Sequence, residues 1–154
     1  MEITKDFREF IKSLNERGVR YLVIGGYAVN FHGYPRYTKD IDFWLDPDPE
    51  NAERLLLALA DFGFGGLGLT VSDFTNPANI VQLGHEPYRI DLLNEVEGLD
   101  FDECFQIKEI HELDGEAVNF INLPNLIEAK KNAGRLKDLA DAEELEKILS
   151  KKRK

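Results

Sequence analysis

A chain of 154 residues with 43% hydrophobic content can bury one sizeable core and is too short for two comfortable ones, so a single domain over residues 1–154 is expected. The net charge of −10 argues against a general phosphate-backbone binder, which would exploit counterion release through a basic surface. One cysteine and three scattered histidines offer neither a disulfide nor a zinc spacing, and no apolar run is long enough to span a bilayer. The expectation is a soluble, unexported protein in a reducing cytoplasm, with no membrane contact.

Thr4 is placed to cap a helix in which Phe7, Phe10, Ile11 and Leu14 form one apolar stripe, ended by Gly18. Arg20 to Ile24 reads as a short buried strand that stops at Gly25-Gly26, and a brief helix from Tyr27 to Phe31 follows. Gly33-Tyr34-Pro35 breaks that helix. Thr38 to Leu45 then alternates as a second strand, with Ile41, Phe43 and Leu45 on one face and Asp40, Asp42 and Trp44 on the other. Asp46-Pro47-Asp48-Pro49 is a turn and helix start, and Leu55, Leu56, Leu59 and Phe62 mark the inner face of a helix ending near Gly63.

The glycine-rich stretch Gly63 to Gly68 is a connection. Asn79 to Leu83 and Tyr88 to Leu93 read as two strands of a hairpin, with Gly84-His85-Glu86-Pro87 as the turn. Glu109 to Leu113 and Ala117 to Ile121 flank Asp114-Gly115 as a second hairpin, placed at the edge of the sheet. A C-terminal helical segment, about 123–149, holds two helices: Pro124 to Asn132 and Arg135 to Leu149. Basic residues gather there and in the terminal Lys151-Lys152-Arg153-Lys154.

Chemistry concentrates in Ile24-Gly25-Gly26 and Asp40-Ile41-Asp42. Two aspartates at i and i+2 of a strand share a face, so their carboxylates can converge on a hard divalent cation, and Mg2+ explains the pair better than a core does. Glycines at a strand-to-helix junction let backbone N–H groups approach phosphate oxygens. Together the two halves describe a triphosphate and metal site. A third carboxylate is needed to complete an octahedral shell and to act as a base, and Asp91 in Arg89-Ile90-Asp91-Leu92-Leu93 offers it. The plainer alternative for Asp91 is an ion pair with Arg89 on the same face.

Arg36 and Thr38, in the loop entering the acidic strand, are candidates to touch phosphate or to fix that loop, with Arg36 as an ion-pair donor the alternative. His32 reads as a capping or partly buried histidine outside the site. Lys130 shares a face with Gly134, Lys137 and Asp141 if the helix is continuous, and then reaches the triphosphate. Its alternative is a solvated lysine, with Asp138 and Asp141 in helix-surface ion pairs.

The run from Gly25 to Asp42, with Val81-Gln82-Leu83-Gly84, Arg89 to Leu93, and the later Lys130, Arg135, Lys137-Asp138 and Asp141, resembles the DNA polymerase beta-type nucleotidyltransferase superfamily. It is most similar to the AbiEii-like branch of abortive-infection and toxin–antitoxin proteins. The resemblance implies an α+β nucleotidyltransferase fold, a mixed β-sheet flanked by helices with C-terminal helices. It implies two Mg2+ ions and an NTP at Asp40 and Asp42, with Asp91 holding the second ion and helping to deprotonate the acceptor hydroxyl. Gly25 and Gly26 would cradle the β- and γ-phosphates through backbone alone; some relatives carry Ser at the second position. NMP transfer to a hydroxyl of tRNA, other RNA or a protein is the implied activity, with a cognate toxin or antitoxin as partner. The competing reading is a non-catalytic nucleotide-binding or antitoxin-like module of the same fold, which predicts a damaged carboxylate set.

Overall fold

The computed structural model describes residues 3–85 and 88–153. Helix α1 (Lys5–Glu16) is capped as expected, the Phe7 amide donating to Thr4 Oγ1 at 3.2 Å, and it buries Phe7, Phe10, Ile11 and Leu14. Strand β1 (Tyr21–Ile24) runs directly into α2 (Gly25–Phe31), which begins two residues before the expected start. Strand β2 spans Ile41–Leu45, so Thr38 to Asp40 belong to the approach and not to the strand. Helix α3 (Pro49–Phe62) starts from Asp48, whose side chain accepts from the Glu50 amide, and ends at Gly63 in the left-handed region.

Two short α-helices and a 3-10 turn at Gly65–Leu67 escaped the sequence pattern. Helix α4 (Val71–Thr75) starts in a reciprocal capping box between Thr70 and Asp73. Helix α5 (Phe101–Gln106) starts where Asp100 accepts from the Glu103 amide at 3.0 Å. Strands β3 (Ile80–His85) and β4 (Tyr88–Leu93) pair antiparallel; Glu86 and Pro87 of the expected turn lie outside the described residues. Strands β5 (Glu109–Leu113) and β6 (Glu116–Phe120) form the second hairpin, and α6 (Leu123–Ala133) and α7 (Leu136–Lys152) close the chain.

The six strands form one mixed sheet in the order β3-β4-β2-β1-β6-β5, which puts β5 at an edge as expected. The pairs β1/β6 and β2/β4 are parallel and the other three antiparallel. Central β2 is covered on both faces. Phe43 meets Phe10 of α1 edge-on at 5.3 Å, while Trp44, pointing the opposite way, meets Phe101 of α5 at 5.3 Å. That second layer explains why Trp44, on the aspartate face, is fully buried while Asp42 beside it opens on a cleft.

A continuous helix through Lys130 and Asp141 does not form. Gly134 adopts φ +74° and ends α6, so Lys130 and Asp141 belong to different helices and cannot share one helical face. They meet across the α6/α7 pair instead.

Candidate active site

Strand register assembles the site. Ile24 at the end of β1 lies opposite Asp42 of β2, and Asp42 lies opposite Asp91 of β4. The glycine turn, the central carboxyl and the third carboxyl therefore stand at one level on three adjacent strands. Asp40 sits just before β2 on the face of Asp42. All eight residues singled out from the sequence, Gly25, Gly26, Arg36, Thr38, Asp40, Asp42, Asp91 and Lys130, line one cleft of about 500 Å3. A larger hollow of about 750 Å3 near Asn79 and Glu97 lacks both a basic residue and the glycine turn, so volume alone does not mark the chemistry.

Close approach explains the glycines. Gly25 has φ +68°, and a Cβ there would fall on the Asp42 carboxylate. At Gly26 a Cβ would come within 2.7 Å of Thr38 Oγ1 and 3.0 Å of Thr38 Cβ. The threonine thus fills the space that a serine at this position would use. Thr38 Oγ1 itself donates to the Asp40 carbonyl at 3.2 Å, fixing the approach to the acidic strand.

The carboxyls of Asp42 and Asp91 face each other within hydrogen-bonding reach. Burial first, then the negative charge of Asp91, holds the Asp42 carboxyl well above the ordinary carboxylate range. The Arg89 pairing foreseen as the plainer reading of Asp91 is present, with Nε to Asp91 Oδ1 at 2.8 Å, and it extends further: Nη2 also reaches Asp40 Oδ2 at 3.1 Å. Asp40 Oδ1 is buried without a hydrogen-bond partner. Among the described residues no group of three or more His, Cys, Asp or Glu side chains stands ready-made around a metal position.

Arg36 anchors the approach loop. Its Nη1 lies 2.6 Å from both carboxylate oxygens of Asp141 on α7, so the ion pair read from the sequence as one role of Arg36 is formed. Asn30 of α2 secures the same loop, accepting from the Arg36 amide at 2.9 Å and donating to the Arg36 carbonyl at 2.7 Å. Lys130 is buried, not solvated, with Nζ 3.1 Å from Asp141 and 3.4 Å from Asp138. Arg135, which also lines the cleft, pairs with Asp138 at 2.6 Å. The sequence reading assigned no role to Asn30 or Arg135, and its alternative for Lys130 put Asp138 and Asp141 on the surface, whereas they are 1% and 3% exposed. The Arg135/Asp138 spacing of i, i+3 was the available signal.

The family described as "Nucleotidyl transferase of unknown function (DUF2204)" matches residues 3–154. The chain belongs to this family. The match does not name the abortive-infection branch to which the motif is similar. Solved nucleotidyltransferases share the family member's fold. A protein from Thermotoga maritima described as a nucleotidyltransferase superposes with a TM-score of 0.60 at 16% identity, covering 97% of each chain. The lincosamide antibiotic adenylyltransferase LnuA, solved with lincomycin bound, gives 0.58 at 15% identity over 96% of this chain and 98% of its own. ANT(2")-Ia, solved with adenylyl-2"-tobramycin, gives 0.53 at 13% identity over 96% and 94%. No curated protein matches the sequence. These likenesses establish the nucleotidyltransferase fold. No helix among the described residues is long and apolar enough to cross a membrane.

Proposed function

We propose that this nucleotidyltransferase-family chain is a Mg2+-dependent enzyme that transfers a nucleoside monophosphate from an NTP to an acceptor hydroxyl. The observation that carries the reading is the convergence of Asp40, Asp42 and Asp91 beside the Gly25-Gly26 turn in one cleft. The residues fit a cation: Asp40 Oδ1 is buried with no partner, and burial together with the charge of Asp91 holds the Asp42 carboxyl up, a cost that a cation between them would relieve. Asp40 and Asp42 would hold the nucleotide's metal, and Asp91 the second ion. Bound Mg2+ supplies positive charge that neutralises the triphosphate and the departing pyrophosphate.

The chain's own residues do the rest. Gly25 and Gly26 present backbone N–H groups at the start of α2 to the β- and γ-phosphates. Lys130, on the cleft wall, adds a cation for the triphosphate, held in place by Asp138 and Asp141. Arg36 and Thr38 keep the loop into β2 in register. Asp91 accepts the proton of the acceptor hydroxyl as its oxygen attacks the α-phosphorus and pyrophosphate leaves.

The acceptor class follows from charge. The cleft holds acidic Glu95 and Glu97 beside basic Arg135 and Lys137, but the net charge of the chain is −10, so a hydroxyl on a protein side chain or a small neutral or cationic molecule suits it better than one on tRNA. Adenylyl transfer to small antibiotics by solved proteins of this fold supports the same choice. A toxin–antitoxin or phage-defence setting draws its support from the motif resemblance to the AbiEii-like branch. The intact carboxylate set favours an enzyme over a non-catalytic antitoxin-like module.

The test incubates the purified protein with Mg2+ and each labelled NTP in the presence of tRNA, cell lysate and small hydroxyl compounds, beside an Asp40→Ala/Asp42→Ala double variant. Label transferred by the native chain alone supports the proposal. Equal labelling by both proteins, or by neither across all acceptors, overturns it.

A further inference from the structure

Arg89 stands where a cation belongs. It leaves β4 two residues before Asp91 on the same face, and its fork spans one carboxyl on β4 and one on the approach to β2: Nε to Asp91 Oδ1 at 2.8 Å, and Nη2 to Asp91 Oδ2 at 3.2 Å and to Asp40 Oδ2 at 3.1 Å. Both oxygens of Asp91 and one of Asp40 are thereby engaged by a single guanidinium. Its side chain is 29% exposed and lines the cleft, so solvent and a ligand can reach it.

A purely structural ion pair satisfies its carboxylates and stays out of a ligand's way. This one does neither. It leaves Asp40 Oδ1 buried without a partner, it brings one positive charge to a group of three carboxyls, and it lies between side chains that the proposed reaction needs free. A divalent ion carries twice the charge and is coordinated best by the oxygens that Arg89 now holds.

We propose that Arg89 is a latch on the metal site: its guanidinium spans Asp40 and Asp91 until a divalent cation exchanges for it, and the released side chain then turns to the incoming triphosphate across the same cleft. The inference rests on the proposed metal-dependent transfer and adds a positioning residue to it. The latch keeps the carboxyls together while no metal is bound. It also couples metal entry to nucleotide entry, since the displaced guanidinium gains a phosphate partner only when both arrive. An arginine suits this exchange better than a lysine because its planar fork spans two carboxylates at once.

The experiment titrates Mn2+ into the purified nucleotide-free protein, following free Mn2+ by electron paramagnetic resonance, for the native chain, Arg89→Gln and Arg89→Lys. Arg89→Gln is expected to bind Mn2+ about tenfold or more tightly than the native chain, the scale on which one neighbouring charge alters a carboxylate's affinity for a cation. Arg89→Lys, charged but unable to fork, is expected to fall between them, and it covers the case in which the glutamine variant does not fold. Added non-hydrolysable NTP should tighten Mn2+ binding more in the native chain than in either variant. If the variants that fold, by circular dichroism, bind Mn2+ no more tightly than the native chain, Arg89 merely supports Asp91 and the latch is overturned. An Asp42→Asn control that binds Mn2+ as well as the native chain overturns instead the metal site on which the latch depends.

Discussion

Asp42 and Asp91 are direct partners across the parallel β2/β4 pair, so two carboxyls face each other in the middle of the sheet. Like charges directly opposite on neighbouring strands destabilise a sheet. Here burial adds to the repulsion and pushes the Asp42 carboxyl upward from its ordinary 3.8.

That strain has a definite pH signature. A carboxyl whose pKa is raised by folding binds its proton more tightly in the folded chain, so stability falls as pH rises above 3.8, and the full penalty is present above the folded pKa. Asp42→Asn removes the penalty. In urea unfolding with a chelator present, its advantage over the native protein should be small in acid and grow toward neutrality. An advantage independent of pH would mean that Asp42 is not crowded. Transfer activity in the same variant should fall by on the order of 100-fold or more if Asp42 is a ligand of the proposed metal.

Thr38 dictates the second glycine of the turn. With Thr38 Oγ1 at 2.7 Å from a notional Cβ, Gly26→Ser should cost about 1–3 kcal/mol, the usual range for overpacking. Pairing it with Thr38→Ala should recover most of that loss, a non-additivity measurable in a double-mutant cycle. Purely additive losses would show that the two side chains do not compete for one space.

Asp141 holds together three elements distant in sequence. It takes Arg36 from the approach loop and Lys130 from α6, and it is 3% exposed. Asp141→Ala leaves the buried Lys130 and the half-buried Arg36 each short of a partner and should cost about 3 kcal/mol, read as a lowered urea midpoint at constant slope. A loss under about 1 kcal/mol is typical of surface pairs and would argue against this anchoring role.

His32 is buried, and its Nε2 donates to the Ile121 carbonyl at 2.7 Å. Burial, partly offset by that bond and by Glu109, lowers its pKa from 6.5. The unfolded chain therefore takes up the proton first, and stability is lost as pH falls from 6.5 toward the lower folded value, with no effect above 6.5. His32→Asn should melt lower at pH 7.5 yet lose less on acidification to pH 5 than the native protein does. Parallel melting curves across that range would exclude His32 as the source.

Local signals carried much of this far. Thr4 was legible as a cap and Asp46-Pro47-Asp48-Pro49 as a helix start because capping is a contact within one turn, and the shared face of Asp40 and Asp42 follows from strand alternation. Helices α4 and α5 are too short to show an apolar stripe, although Thr70/Asp73 and Asp100/Glu103 wrote their starts into the sequence. The placement of β4 beside β2 was not legible, since hairpin spacing pairs β4 only with β3. For the same reason the Arg89–Asp91 contact could be foreseen and the Arg89–Asp40 contact could not. Arg36 with Asp141 was beyond reach as well, because that pair depends on how α7 packs after the Gly134 break.

The parallel register of β2 and β4 also divides the molecule into parts that must keep their length and a part that need not. The chain leaves the site at Leu45, travels through α3, the Gly63–Gly68 connection, α4 and β3, and returns at Arg89. A one-residue insertion inside β2 or β4 would turn one carboxyl to the opposite face. The same insertion near Gly66, where an added Cβ would meet nothing within 4 Å, leaves every carboxyl of the cleft in place, and doubling a loop costs only about 0.6 kcal/mol. That outer excursion is where the chain can accept new sequence, including a segment that selects an acceptor, without disturbing the carboxyls.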